Sequence, residues 1–145
     1  MGNPRRTLDI DIALASPQRK SSEFINTMES LAKEMKLEVE VIPIEDFIPL
    51  PEDADTRHQQ VSQYGSLVVF VYDPYSIALS KIARGFETDI QDVLFLIRNN
   101  FIIMEELTRF VGALLPQAWD FDIDPDEMMS YFKTIQQLSA KNNHQ

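Results

Sequence analysis

The chain has 145 residues, 44% apolar and 25% charged, with 23 acidic residues against 13 basic ones and a net charge of −10. That length supplies the core of one domain, and the acidic balance excludes nucleic-acid binding through a global positive field, leaving only the local basic pairs Arg5–Arg6, Arg19–Lys20 and Lys81–Arg84. The absence of cysteine excludes a disulfide framework and a thiolate metal site, and His58 and His144 are too few and too far apart for a histidine zinc site.

No apolar run approaches the roughly 18 residues of a membrane span, so no membrane partner is expected. The start, MGNPRRTLD, lacks the apolar core of a signal peptide, and a cytoplasmic location is expected.

The first element is RRTLDIDIAL (5–14), read as a strand over 7–14. Asp9 and Asp11 are i and i+2 in that strand, so they share a face about 6–7 Å apart. Carboxylates at that separation repel unless they reach water or share a cation. These ten residues leave open both a solvated edge strand and a divalent-metal site for phosphoryl chemistry.

ASPQRK (15–20) reads as a turn, and from Ser22 an amphipathic helix follows, with Phe24, Met28, Leu31, Ala32 and Met35 on its apolar face. LEVEVI (37–42) alternates as a strand does, with Leu37, Val39 and Val41 toward a core and Glu38 and Glu40 on the other face. PIEDFIPLPEDAD (43–55) carries three prolines and reads as an extended loop. SLVVFVY (66–72) is β-branched and aromatic, the pattern of a buried strand.

From there the period is helical. Asp73 as N-cap and Pro74 as first residue predict a helix over 74–84, broken by Gly85. A second spans 87–98 with Ile90, Val93, Leu94 and Ile97 on one face, ended by Asn99–Asn100. A third covers 103–115 and stops at Pro116. Asp124, Pro125 and Glu127 form a capping-box start for a last helix to about residue 140, with Met128, Phe132 and Ile135 apolar. The pattern is one α+β domain over 1–145, strand-rich in 1–72 and helical in 73–140.

Two further groups carry charge at defined spacing. In DPYSIALSKIARGFETDIQDVLFLIR (73–98), Lys81 and Arg84 share a helix face and suit the phosphates of a nucleotide. Asp89 and Asp92 open the next helix, where the helix dipole favours acids. The same four residues also suit pairing with one another across the Gly85 turn, and sequence physics alone favours that structural reading. The run Asp120, Asp122, Asp124, Asp126 imitates a calcium loop but lacks a glycine at its sixth position, and Tyr131 stands where the twelfth-position glutamate belongs. Capping and solvent account for those acids.

Taken together, Arg5-x-Thr7-x-Asp9-Ile10-Asp11 and Lys81, Arg84, Asp89, Asp92 resemble the nucleotidyltransferase superfamily. The likeness is to its abortive-infection (AbiE-type) and minimal members, some of which are halves of bacterial toxin–antitoxin pairs. It covers about residues 5–98 and implies an α+β fold with a nucleotidyltransferase-like mixed sheet and a C-terminal helical part.

The implied reaction uses a nucleoside triphosphate with Mg²⁺ or Mn²⁺ and transfers its nucleotidyl group to an acceptor, an RNA among the candidates. Asp9 and Asp11 would hold the metal, with Glu40 preferred over Glu38 as a third acid from the neighbouring strand. Lys81, Arg84, Arg5 and Thr7 would meet the nucleotide, and Asp89 and Asp92 would orient the lysine or activate the acceptor.

That superfamily sets a strand, a Gly-Ser or Gly-Gly pair and a helix ahead of its Asp-h-Asp strand. Here four residues precede Arg5, with Gly2 the one glycine among them. The expectation is weak triphosphate binding and little or no transfer by this chain alone, together with a sheet edge covered in a homodimer or by a toxin or antitoxin partner. The alternative is a non-catalytic acidic antitoxin or dimerisation module.

Overall fold

A computed structural model describes residues 9–12, 26, 30, 33, 34, 38–41, 44–64 and 67–142, with the backbone alone for 9–12, 38–41, 61–64 and 67–69. The chain divides into two units, 1–44 and 45–145.

In the first unit, β1 (Asp9–Ile12) pairs with β2 (Glu38–Val41) in parallel. A parallel pair needs a crossover between its strands, usually a helix. Asn26, Ser30, Lys33 and Glu34, at i, i+4, i+7 and i+8, are helical and exposed, which makes them the polar side of the helix expected from Ser22. The ASPQRK turn and the apolar positions Phe24, Met28, Leu31, Ala32 and Met35 lie outside the described residues.

One turn of helix, α1 (Ile44–Phe47), begins at the last residue of the first unit and leads into the second, and a 3-10 turn follows at Ala54–Arg57. The stretch 43–55 is therefore not extended throughout. Its prolines confine helix to short pieces, and Asp53, at φ 59°, supplies the left-handed step that starts the 3-10 turn. β3 (Gln59–Tyr64) then pairs antiparallel with β4 (Leu67–Val71), with an irregularity between Gln60 and Ser62.

Four helices follow the hairpin. They are α2 (Pro74–Arg84), α3 (Glu87–Arg98), α4 (Met104–Leu114) and α5 (Pro125–Asn142), with a 3-10 segment at Leu115–Phe121 before the last. α2 packs against α3, α4 and α5, and α3 against α5. Pro116 does not end the helical path. A proline is tolerated in the first turn of a helix because the N–H it lacks has no intrahelical acceptor there, so the chain continues as 3-10 helix.

Among the described residues the core is built from Ala78, Leu79 and Ile82 of α2, Val93 and Leu94 of α3, Leu107, Phe110 and Val111 of α4, and Met128, Phe132 and Ile135 of α5. The face of α3 is turned from the one its apolar spacing suggests. Ile90 and Ile97 are only half-buried, while Asp89 and Asp92 go inside. The fold is α+β with a helical C-terminal part, and no helix among the described residues is long and apolar enough to cross a membrane.

Candidate functional site

In the first unit the parallel register sets Asp9 opposite Glu38 and Asp11 opposite Glu40, with Ile10 and Ile12 opposite Val39 and Val41. The strand pleat alternates faces, so positions 9, 11, 38 and 40 fall on one face of the ribbon and the four apolar positions on the other. Arg5 and Thr7 lie outside the described residues.

In the second unit the sequence brings Lys81, Arg84, Asp89 and Asp92 together around a sharp corner. Asp73 starts α2, accepting hydrogen bonds from the backbone N–H groups of Tyr75 and Ser76 at 3.1 Å each. Gly85 ends it with φ 72° and donates its N–H to the Lys81 carbonyl at 2.8 Å. A side chain at this glycine would run into the Tyr131 ring of α5, so both the backbone angle and the space demand glycine here. The Phe86 N–H then donates to Asp89 Oδ2 at 3.1 Å, which starts α3.

Across this corner the four charges pair. Arg84 donates to Asp89 through Nε at 2.8 Å and Nη2 at 2.6 Å, the two-pronged geometry its planar fork favours. Lys81 Nζ donates to Asp92 Oδ2 at 2.9 Å and lies 3.8 Å from Asp89 Oδ1. The Asp89 side chain is 1% exposed, that of Lys81 24% and that of Arg84 59%. Burial works against the Asp89 charge, but the Arg84 hydrogen bonds and charge, the Phe86 amide and Lys81 outweigh it and hold the carboxyl below the usual carboxylate range. Chemically, the group offers a partly exposed ammonium next to a buried carboxylate, with a guanidinium already committed to the corner.

A third buried carboxylate escapes sequence reading except as a helix cap. Asp73, fully buried, is gripped by Arg57 through Nε at 2.8 Å and Nη2 at 3.0 Å, and by the Ser76 hydroxyl at 2.7 Å. Its own N–H donates to His58 Nδ1 at 2.8 Å, and Arg57 lies over the rings of Tyr75 and Phe110. The Asp73–Pro74 signal reveals the cap. Nothing local reveals that an arginine 16 residues earlier completes it.

Asp124 caps α5, accepting from the N–H groups of Asp126 at 2.9 Å and Glu127 at 3.4 Å, while Asp120 and Asp122 are exposed. Among the described residues, no group of three or more His, Asp and Glu side chains is arranged to hold a metal ion.

A family model described as "Nucleotidyltransferase of unknown function (DUF6036)" matches residues 2–118. No curated protein and no solved structure matches the chain.

Proposed function

The chain belongs to this family of nucleotidyltransferases of unknown function, and on that premise, in place of the expectation of little or no transfer, we propose that it transfers a nucleotidyl group from a nucleoside triphosphate to an acceptor hydroxyl. In that reaction the acceptor hydroxyl loses its proton to solvent as its oxygen bonds to the α-phosphorus, the bond from that phosphorus to the β-phosphate bridge breaks, and pyrophosphate leaves with that bond's electrons. The observation that carries the reading is the β1–β2 register inside the matched region, which sets Asp11 opposite Glu40 and Asp9 opposite Glu38.

Hard carboxylate oxygens on rigid strands fit Mg²⁺ or Mn²⁺, and Asp9, Asp11 and Glu40 are the residues assigned to hold it. Such an ion, when bound, neutralises charge on the attacking and leaving oxygens. Lys81 supplies a point positive charge for the triphosphate. Arg84, engaged by Asp89 at two nitrogens, serves the α2–α3 corner first.

The test is transfer of label from each α-³²P-labelled nucleoside triphosphate to RNA 3′ ends and to protein, with Mg²⁺ or Mn²⁺ present. Labelled product that disappears in Asp11→Asn, with pyrophosphate released in step, is the expected result. Labelling that survives Asp11→Asn, or none with any of the four triphosphates, sinks the reading.

A second reading, an acidic binding module of the antitoxin kind in a bacterial toxin–antitoxin or phage-defence pair, is favoured by the net charge of −10, which suits masking a basic partner. The same assay separates the two, since a module of that kind turns over no triphosphate.

A further inference from the structure

Asp89 and Asp92 stand three residues apart on one face of α3 and share Lys81 as an ion-pair partner, yet their hydrogen-bond donors differ. Asp89 closes the corner, taking two bonds from Arg84 and one from the Phe86 amide. Asp92 takes the Lys81 ammonium, at 2.9 Å against 3.8 Å from Asp89. The two cations differ as well. A planar guanidinium bound at two points gives up both bonds together or neither, whereas an ammonium on a flexible four-carbon stem can redirect its donors by rotation. Lys81 is also in partial contact with solvent.

From this division we infer that Asp92 is a positioning residue that holds Lys81 until an incoming polyphosphate competes for it, an inference that rests on Lys81 meeting the triphosphate as proposed above. Lys81, Arg84, Asp89 and Asp92 contribute two positive and two negative charges, so their fields cancel at a distance in the resting chain. Binding turns the ammonium from Asp92 Oδ2 to a phosphate oxygen. Arg84 and Asp89 stay paired through this exchange and keep the corner fixed, so Lys81 moves alone.

The experiment uses the full chain with inorganic triphosphate as the probe, followed by calorimetry and by NMR of the lysine ammonium groups. Asp92→Asn, close to aspartate in shape, removes the competing charge and is expected to tighten triphosphate binding about two- to fivefold, the upper part of the range for a partly exposed ion pair at 1.4 kcal/mol per tenfold. Adding Lys81→Gln to that variant abolishes the gain.

In the unaltered chain, the coupling across the Lys81 Nζ–H···Oδ2 bond to Asp92 Cγ is expected to vanish as triphosphate saturates, a readout that needs no variant to fold. Unchanged or weaker binding by Asp92→Asn, or a coupling that persists at saturation, overturns the inference. Equal binding by both chains overturns the inference alone. No binding by either also removes Lys81 from the proposed reaction.

Discussion

The Asp73 carboxylate accepts five hydrogen bonds, from Arg57 Nε and Nη2, the Tyr75 and Ser76 amides and the Ser76 hydroxyl, at 2.7–3.1 Å. Burial alone would raise its pKa. The Arg57 and Ser76 bonds, then the Tyr75 amide and the Arg57 charge, reverse that and hold it below the usual carboxylate range. A carboxyl depressed in the folded chain stabilises fully above its ordinary, unfolded-state pKa, and this contribution drains as pH falls through that value toward the folded one. Asp73→Asn leaves Arg57 facing an amide and weakens the cap, at a cost of about 2–4 kcal/mol near neutral pH. Urea unfolding from neutral pH down to about pH 3 checks both parts: the variant starts lower and loses less below about pH 5. An unchanged acid limb would show that Asp73 does not carry it.

At the scale of the element, one glycine that ends a helix and one inside a helix, with opposite surroundings, make a paired test. Gly85 has φ 72° and the Tyr131 ring in the path of a side chain, whereas a Cβ on Gly112 in α4 meets nothing within 4 Å. Gly85→Ala therefore combines a left-handed alanine with overpacking and costs about 2–4 kcal/mol. Gly112→Ala gains about 0.5–1 kcal/mol by limiting the unfolded chain. Thermal midpoints moving in opposite directions are the expected outcome.

The same contrast between local and distant causes decides what the sequence makes legible. Asp73–Pro74, Gly85, Asn99–Asn100 and Asp124–Pro125 mark helix ends with chemistry confined to a few residues, and α2, α3 and α5 begin where those signals stand. β3, QQVSQY, carries little apolar signal, and its strand character comes from pairing with β4. Asp89 and Asp92 look like first-turn acids, yet they are buried because Lys81 and Arg84 reach them from the preceding helix. That pairing was legible as one of two alternatives, since the spacing fixed the four residues near the corner. The Arg57–Asp73 pair was not, because the two residues flank the β3–β4 hairpin, where Gln59 lies opposite Val71, and β3 carries little strand signal of its own.

At the scale of the whole molecule, a net charge of −10 on 145 residues makes self-repulsion a term comparable with folding stability. Folding draws these charges closer together than they lie in the unfolded chain, so the repulsion works against folding. The screening length falls from about 20 Å at 20 mM salt to about 4 Å at 0.5 M, which removes much of that repulsion. Salt also weakens ion pairs, but Arg109 with Glu52 and Glu106 is exposed and contributes little. The pairs of Arg57 with Asp73 and of Arg84 with Asp89 each have a buried carboxylate and are screened less. The balance favours salt: raising it from 20 mM to 0.5 M should stabilise the chain by about 1–3 kcal/mol and lift the thermal midpoint by roughly 3–8 °C. Sodium chloride is the salt to use, because its ions are excluded from protein surfaces less than sulfate is, which leaves screening as the main effect. A midpoint that falls with sodium chloride would mean that local ion pairs, rather than the net charge, dominate the electrostatics of this fold.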